Sequence, residues 1–521
     1  MKARFLFASF ALAWVAQCWA LSPTAAIDIQ FFMAGATAQK NTFQNLLGGA
    51  APQTVYGFSY PAVPAICAPG TLDFFYDSAK GSNYRAYSCT LVVEGSLPTA
   101  MQGKGLGGKN ILIHYRLLSG SWIGVGPLSR AQAVTRMAVD GTCSSSATGT
   151  APVPTTFPLA NLYNTPSWIC TNTTTAVPDV GVSDQEPAIF YAANAPNDGH
   201  PTNNTEIAIK SSDLANILSA PLQGVQMNVI ATKKLINAMQ IAQGKGVTAA
   251  KSPVPDADRP NITSPQISAL LTNNGGAYNV DWQPLVGTAG TNMPVHVCRR
   301  ISAVGTQIAA NSFWLNYPCA ATAILPPTGP VYPSPQANVV TVGNSGANGP
   351  GVYNSGTYTI TEANLIPDMR TCVAHYNNAD QTGLTAADTF AIGLLFTDND
   401  PGTSTDAASV QFAWDFLAID GIQPNVANGV SGAYRFVTTE TWQYRIKTVN
   451  AIKPLTDASN ASQFNLVTGL FAMLETPAVL AVQPGFLAVP ENGYVPGTDG
   501  NNIWKGTTAG PNACNPPLLF F

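Results

Sequence analysis

Residues 297–307 read VCRRISAVGTQ, and this stretch carries the features that decide the fold and the site. A short apolar run ends in two arginines, a turn of small residues follows, and a helix is predicted over residues 307–315. Arginine presents a fork of donors that suits a tetrahedral oxyanion. A glycine-containing turn that opens a helix offers backbone N–H groups at the positive end of the helix dipole. The stretch is therefore either an anion cradle or, as is commoner, a surface cation beside an ordinary helix.

The composition is typical of an exported, loop-rich globular protein. Charged side chains make up only 10% of the 521 residues, while glycine (45) and proline (40) are abundant. This length is enough for roughly two or three domains with a large core. The net charge of −4 gives no indication of nucleic acid or an anionic membrane surface as a partner.

Residues 1–20 have the pattern of a secretory signal peptide. Lys2 and Arg4 precede an apolar run that starts at Phe5, and Ala20 offers a small residue for cleavage. The run is too short to span a membrane. We therefore expect a soluble mature protein in the periplasm or outside the cell.

Eight cysteines remain after the signal, and an even number in an exported chain indicates disulfides. Eight cysteines allow 105 connectivities, so the pairing stays open. The spacing suggests Cys67–Cys89 and Cys143–Cys170 as local pairs, with Cys319–Cys372 as a weaker third. No CxxC motif occurs, and none of the four histidines stands at ligand spacing to a cysteine. Neither a metal nor another cofactor is predicted.

Three further segments place hydroxyl or carboxylate groups directly after a predicted strand. Residues 27–33 run into Gly35-Ala36-Thr37, residues 110–118 run into Ser119-Gly120-Ser121, and a shorter strand ends in Ser183-Asp184. Such turns aim backbone N–H and hydroxyl groups at a site. Two of these segments also have an ordinary interpretation, which is a tight strand-to-helix turn at Thr37 and a helix N-cap at Ser183 and Asp184.

The order of these segments resembles that of the periplasmic phosphate-binding proteins of ABC importers, a family with the type II periplasmic-binding fold. The segments that carry the resemblance are Gly35-Ala36-Thr37, Ser119-Gly120-Ser121, Gly181-Val182-Ser183-Asp184, the apolar crossing strand 224–229, the helix and Gly…Trp stretch 267–282, Arg300 with Val304-Gly305-Thr306, and residues 390–393, 419–424 and 432–435. The chain departs from the family where an acidic residue and a serine are replaced by Ser302 and Val304.

The resemblance implies an α/β protein of two lobes, each a mixed sheet flanked by helices, with two crossing strands between them. Lobe 1 would hold residues 27–222 and 416–521, and lobe 2 would hold residues 223–415. Disulfide-stapled loop insertions are expected near 50–110, 140–178 and 318–380. We expect residues 326–358 to lie irregularly on the surface.

The resemblance also implies a solute-binding protein that takes phosphate or a related oxyanion in the interlobe cleft and works with the membrane subunits of an ABC importer. The ligand-binding residues carried over are Thr37, Ser121, Ser183, Asp184, Arg300 and Thr306. Arg300 rather than Arg299 would face the cleft, because successive strand side chains point to opposite faces. An extracellular scaffold or adhesion protein with a vestigial cleft is the alternative. We expect no enzyme, because the sequence has no Gly-x-Ser-x-Gly motif and no metal cluster.

Overall fold

The protein is described by a computed structural model. It describes residues 21–49, 53–55, 58–60, 62–118, 120–146, 167–191, 194–195, 208–247, 253–272, 281–301, 303–318, 323–324, 338–342, 358–363, 366–380, 384–399, 401, 413–481, 485–495, 499, 503–504, 506–507 and 518–519. The predicted signal peptide, Ser119, Ser302, Cys319 and Cys514 lie outside the described residues.

The chain alternates strands and helices along most of the described residues. The strands are β1 Ile29–Gly35, β2 Gln53–Val55, β3 Phe58–Tyr60, β4 Asp73–Asp77, β5 Gly81–Thr90, β6 Asn110–Arg116, β7 Val134–Met137, β8 Ser144–Ser146, β9 Ser167–Cys170, β10 Thr173–Ala176, β11 Val180–Ser183, β12 Ile217–Thr232, β13 Asn261–Ile262, β14 Val295–Arg300, β15 Asn338–Val342, β16 Tyr358–Ala363, β17 Ala391–Phe396, β18 Trp414–Phe416, β19 Ala418–Ile419, β20 Val437–Arg445, β21 Phe486–Leu487, β22 Gly506–Thr507 and β23 Leu518–Leu519. The α-helices are α1 Gln39–Gly48, α2 Ser121–Ser129, α3 Ser211–Leu214, α4 Lys233–Ala242, α5 Ser264–Thr272, α6 Gln283–Val286, α7 Gly305–Leu315, α8 Ile366–Asn378, α9 Val426–Ser431, α10 Ala461–Leu474 and α11 Pro477–Leu480. Short 3₁₀ turns occur at Glu94–Ser96, Pro187–Ile189, Gly287–Gly290, Ala458–Asn460 and Pro490–Asn492.

One large mixed sheet organises these elements, in the order β15-β16-β14-β17-β12-β20-β11-β1-β6-β5-β4-β9-β8. In its first half, β1 pairs in parallel with both β6 and β11. In its second half, β14 pairs in parallel with both β16 and β17. Parallel strands bring their carboxyl ends to one edge, so each half has one edge where the loops that follow its strands gather. The structure confirms the expected α/β class.

Two long antiparallel strands, β12 and β20, join the halves. From Ile217 to Gln226, β12 pairs with β20, and from Met227 to Ala231 it pairs with β17 of the second half. The register shifts between Pro221 and Gln223, as expected for a proline that cannot donate to the ladder. The predicted crossing strand at 224–229 is therefore part of β12, and the two-lobed organisation with crossing strands is confirmed.

Each half has its own apolar core. Phe31, Phe43 and Leu470 are buried in the core of the first half, and Val297 and Ile360 are buried in that of the second. Within the first core, Trp442 of β20 stacks on Phe471 of α10 with ring centroids 4.3 Å apart. Full burial of such an aromatic side chain contributes about 1.5–3 kcal/mol.

The chain after residue 416 divides between the two cores. Leu417, Ile419 and Phe436 pack in the core of the second half, whereas Trp442 and Leu466 pack in that of the first. We therefore propose that the return from lobe 2 to lobe 1 lies at β20, later than the sequence-based boundary at 416.

Two disulfides join the predicted partners, and a third does not. Cys67–Cys89 and Cys143–Cys170 are bonded as expected. The predicted Cys319–Cys372 pair is wrong, because Cys372 is bonded to Cys298. Cys372 lies on α8, which packs against β14, so the helix brings it to the strand despite the 74 residues between the two cysteines.

The regions expected to be insertions contribute regular structure. In the 50–110 region, β4 and β5 extend the sheet beyond β6 by antiparallel pairing. In the 318–380 region, β16 is an internal strand and α8 packs on it. Residues 338–342, expected to be irregular, form the edge strand β15, while 326–337 and 343–357 lie outside the described residues. The high glycine and proline content of these regions concealed the strands. Glycine and proline indicate turns, but they do not show where short paired strands form between the turns.

Candidate functional site

The loops that follow the parallel strands of the two halves contact each other. We call this contact the seam, formed by residues 120–122 and 184 of the first half and residues 303–306 of the second. The backbone N–H of Trp122 donates to the carbonyl of Ala303 across it, with an N–O distance of 3.3 Å. A Cβ added at Gly120 would lie 3.3 Å from the Val304 side chain. The sequence-predicted groups Ser121, Asp184, Arg300 and Thr306 all lie at or beside this seam.

Asp184, directly after β11, lies at the centre of the seam and is 2% exposed. Its Oδ2 accepts a hydrogen bond from Ser121 Oγ at 3.1 Å, and the same hydroxyl accepts from the Asp184 backbone N–H at 3.1 Å. Its Oδ1 is buried and has no hydrogen-bond partner in the described part of the protein. A buried carboxylate oxygen without a donor is costly, so it calls for a partner such as a water molecule or a ligand.

Gly305 permits the approach of the second half to Asp184. A Cβ at this position would lie 2.5 Å from Asp184 Oδ2 and 2.6 Å from Ser121 Oγ, closer than real side chains come. Only a glycine therefore fits at the start of α7. The N-cap residue Val304 has no side-chain oxygen, and no side chain caps this helix. The cap position therefore offers no side-chain acceptor to the N–H groups of Gly305 and Thr306, while the Gln307 N–H donates to the Val304 carbonyl at 3.0 Å.

Thr306, the second residue of α7, is 2% exposed. Its hydroxyl is buried without a hydrogen-bond partner among the described residues. Because a hydroxyl can donate as well as accept, Thr306 is a ready donor for an anion at the helix start.

The two adjacent arginines of β14 point to opposite sides, as the strand alternation predicts. Arg299 donates through Nη2 and Nε to Glu362 Oε1, at 2.8 and 3.2 Å. Arg300 donates through Nε to the carbonyl of Ala363 at 3.2 Å and interacts electrostatically with Asp184. Burial lowers the pKa of Arg300 to about 10, against the opposing effect of the nearby carboxylates, so it remains a cation at neutral pH.

Two of the predicted residues occupy different positions. Ser183 is buried, but its hydroxyl donates to the carbonyl of Gln185 and accepts from the Gln185 N–H at 3.2 Å, so it serves a local turn. Thr37 is half-buried in the turn between β1 and α1, where its carbonyl accepts from the Lys40 N–H at 3.3 Å.

A second buried carboxylate, Glu440 of β20, interacts with Asp184. Its Oε2 accepts from the side-chain amides of Gln39 at 3.1 Å and Gln223 at 2.6 Å. Burial, and secondarily the charge of Asp184, raises the pKa of Glu440 well above its ordinary value. Burial also raises the pKa of Asp184 to about 6, although the Ser121 hydrogen bond and Arg300 act in the opposite direction. With a pKa of about 6, Asp184 is expected to be mostly ionised at neutral pH, whereas the raised pKa of Glu440 favours its protonated form.

Sequence reasoning missed Glu440 and its amide partners. The available signal was a lone acidic residue in the strand VTTETWQYR, and glutamines in the crossing strand. Charged residues are rarely fully buried without a partner, so an acid inside a buried strand indicates a polar network.

In the described ranges, no group of three or more His, Cys, Asp or Glu side chains could hold a metal ion. No helix within those ranges is both long and apolar enough to cross a membrane.

No protein-family model and no curated protein matches the sequence. Among solved structures, the chain is similar to a phosphate ABC transporter substrate-binding protein from Clostridium perfringens with bound phosphate, at 9% identity and a TM-score of 0.36, covering 87% of this chain and 96% of that one. It is also similar to an ABC-type phosphate transport receptor from Vibrio cholerae, at 11% identity and a TM-score of 0.27, covering 59% and 77%. PstS from Borrelia burgdorferi matches at 9% identity and a TM-score of 0.26, covering 59% and 76%.

Proposed function

We propose that the protein is an extracytoplasmic solute-binding protein that holds phosphate or a related oxyanion at the seam. The observation that carries the proposal is the convergence there of a buried guanidinium, Arg300, with two buried oxygens that lack partners in the described residues. These oxygens are Asp184 Oδ1 and Thr306 Oγ1. A cation, a hydroxyl donor and an acceptor in one dry place match the surface of a protonated oxyanion.

Each group has a distinct task in this proposal. Arg300 supplies the positive charge, and Thr306 and the first N–H groups of α7 donate hydrogen bonds to oxygens of the anion. Asp184 Oδ1 accepts the proton that phosphate carries near neutral pH. An ionised carboxylate next to a fully deprotonated anion would repel it, so this acceptor selects for a protonated ligand.

The two crossing strands support a role that requires opening and closing. The halves contact each other at the seam, while β12 and β20 connect them at one side. Rotation about such connections is the usual way in which a two-lobed protein admits and encloses a ligand. We propose that the partner is the membrane subunits of an ABC importer, which would distinguish the closed form from the open form. We also propose that the protein binds its ligand without catalysing a reaction.

Calorimetric titration of the purified protein with inorganic phosphate tests the proposal. Arg300→Ala should weaken phosphate binding by roughly 2–5 kcal/mol, because it removes the desolvated partner of the anion. Arg299→Ala is the matched control, since the same side chain is removed from the adjacent position. Arg299→Ala should lower the free energy of unfolding, because Glu362 stays buried after losing this donor, but it should leave the affinity for phosphate unchanged. Loss of binding in Arg299→Ala with retention in Arg300→Ala would show that the wrong arginine was chosen.

A scaffold or adhesion protein with a vestigial cleft is the alternative, and the close contact of Gly305 with Asp184 and Ser121 favours it. A thermal-shift screen of oxyanions separates the two functions. A ligand at 100 times its dissociation constant should stabilise the fold by about 2.7 kcal/mol. No shift with any oxyanion would favour the scaffold.

A further inference from the structure

A cavity of about 500 Å³ lies in the second half, and the phosphate site does not use it. Six of its lining residues decide what it can bind, namely Phe313, Ile419, Asp420, Ile422, Arg435 and Phe436. We call it the α7 cavity, because Phe313 stands on that helix, about 12 Å along its axis from Gly305 at the seam. A volume of this size is typical of a site for a small molecule.

One side of the α7 cavity is apolar and aromatic. Phe436 and Ile419 are buried in the core of the second half, and Phe313 and Ile422 are half-buried against that core. The ring centroids of Phe313 and Phe436 lie 5.2 Å apart, with the ring planes inclined by 46°. An apolar molecule in the cavity would remove the remaining surface of Phe313 and Ile422 from water. Because aromatic rings attract one another beyond simple area burial, a ring is the favoured body for that molecule.

The segment that forms one wall of the cavity is fixed to a crossing strand. The hydroxyl of Tyr434, which also lines the cavity, donates to the carbonyl of Met227 at 2.9 Å. The Met227 N–H donates to the carbonyl of Phe436 at 2.9 Å. Met227 is the residue at which β12 changes its partner from β20 to β17. The wall is therefore held in place by the sheet, so a ligand would have little of the site to order on binding.

The two charged residues of the α7 cavity differ in what they already bind. The carboxylate of Asp420 accepts from the backbone N–H of Ser264 at 2.8 Å and from the Ser264 hydroxyl, at the start of α5. Arg435 is exposed, and within the described ranges no hydrogen bond or ion pair ends on its side chain. A guanidinium pairs with a carboxylate through two parallel hydrogen bonds. A dianion such as phosphate is less suitable, because the charge of Asp420 in the same cavity would repel it more strongly.

We propose that the α7 cavity binds an aromatic monocarboxylate, with its ring against Phe313, Phe436 and Ile422 and its carboxylate on Arg435. This second ligand goes beyond the proposed function, because its site shares no residue with the seam. The apolar side of the cavity gives the affinity for the ring, and Arg435 selects the acid over a neutral molecule of the same shape.

Calorimetric titration with indole-3-acetate tests the inference. Indole-3-acetamide has the same ring and nearly the same shape but no charge, and acetate has the charge but no ring. Indole-3-acetate should bind at least about tenfold more tightly than either, because only it makes both the apolar contacts and the charge-assisted hydrogen bonds. Absence of binding, or equal affinities for the acid and the amide, would overturn the inference, whatever the affinity for phosphate.

Variants locate the site. Arg435→Gln should weaken the binding of indole-3-acetate by about tenfold and leave the binding of the amide unchanged, whereas Phe313→Ala should weaken both. Lys447→Gln is the matched control, since it removes an exposed cation beyond the other end of β20, and it should change neither affinity. Arg300→Ala should also leave the binding of indole-3-acetate unchanged. A loss in Arg300→Ala with retention in Arg435→Gln would show that the acid binds at the seam, and the inference would be wrong. Melting curves exclude unfolding as the cause of any loss.

Discussion

Two adjacent residues of β14 belong to differently built regions: Arg299 lies in the interior of the second half, and Arg300 lies beside the seam. In the interior, Arg299 is held by Glu362 through two hydrogen bonds, and the Cys298–Cys372 disulfide ties β14 to α8. At the seam, Asp184 and Thr306 each keep a buried oxygen without a partner among the described residues. Arg299 and Glu362 hydrogen-bond to each other, while Asp184 and Thr306 at the seam leave positions for an outside molecule. Changes in the interior should therefore alter stability, and changes at the seam should alter binding.

The strongest test of this contrast is the selectivity at Asp184. Because sulfate carries no proton near neutral pH, the unpartnered Oδ1 should reject it, and phosphate should bind about 10⁴-fold more tightly than sulfate. Asp184→Asn should narrow this gap, since the amide can donate to sulfate. Calorimetric titration of both anions against both proteins measures it. Equal affinities in the unchanged protein would mean that Asp184 only shapes the turn.

The interior should respond in stability alone. Replacing Cys298 and Cys372 by serine opens a loop of 74 residues, which should lower the free energy of unfolding by about 4 kcal/mol. The matched pair Cys67 and Cys89, 22 residues apart, should cost about 3 kcal/mol. Denaturant unfolding measures both. Phosphate affinity should stay within about twofold in either variant, and a larger loss in the first would tie the disulfide to the site.

The pH dependence of stability offers a third distinction. The pKa of Asp184 is raised in the folded protein from 3.8 to about 6. Asp184 therefore holds its proton more tightly in the folded protein than in the unfolded chain. The stability that this protonation contributes is full below the unfolded pKa of 3.8 and is lost as the pH rises through about 6. The loss amounts to roughly 3 kcal/mol. The Asp184→Asn variant should lack this part of the decline in the free energy of unfolding between pH 4 and 7. The measurement is the free energy of unfolding of both proteins plotted against pH. Parallel curves would contradict the buried placement of the carboxylate.

The smallest expected effect compares two threonines. Thr306→Val removes an unpartnered hydroxyl at the seam and should weaken phosphate binding by about 1 kcal/mol with little change in stability. Thr361→Val removes a hydroxyl that hydrogen-bonds to Tyr376 at 2.8 Å in the interior, so it should lower stability and leave affinity unchanged. Titration and thermal unfolding of both variants decide the matter. The reverse pattern would undo the distinction between seam and interior.

Sequence patterns were sufficient where a feature depends on neighbouring residues. The alternation of Arg299 and Arg300, and the strand, glycine turn and helix at 295–315, follow from local periodicity. The two short disulfide loops follow from proximity along the chain.

Features that depend on distant segments were not predictable in this way. Glu440 reaches Asp184 because β20 inserts between β11 and β12, and Cys298 reaches Cys372 because α8 lies against β14. A local sequence pattern does not indicate such contacts, because the order of strands in the sheet creates them.

The position of β20 also governs when the protein can fold during its synthesis. Within the sheet, β11 is separated from the first part of β12 by β20, and α10 covers the core of the first half. A nascent chain that has emerged only as far as residue 436 therefore lacks both the strand that completes this half and the helix that seals it. Such long-range pairing delays folding until nearly the whole chain is available.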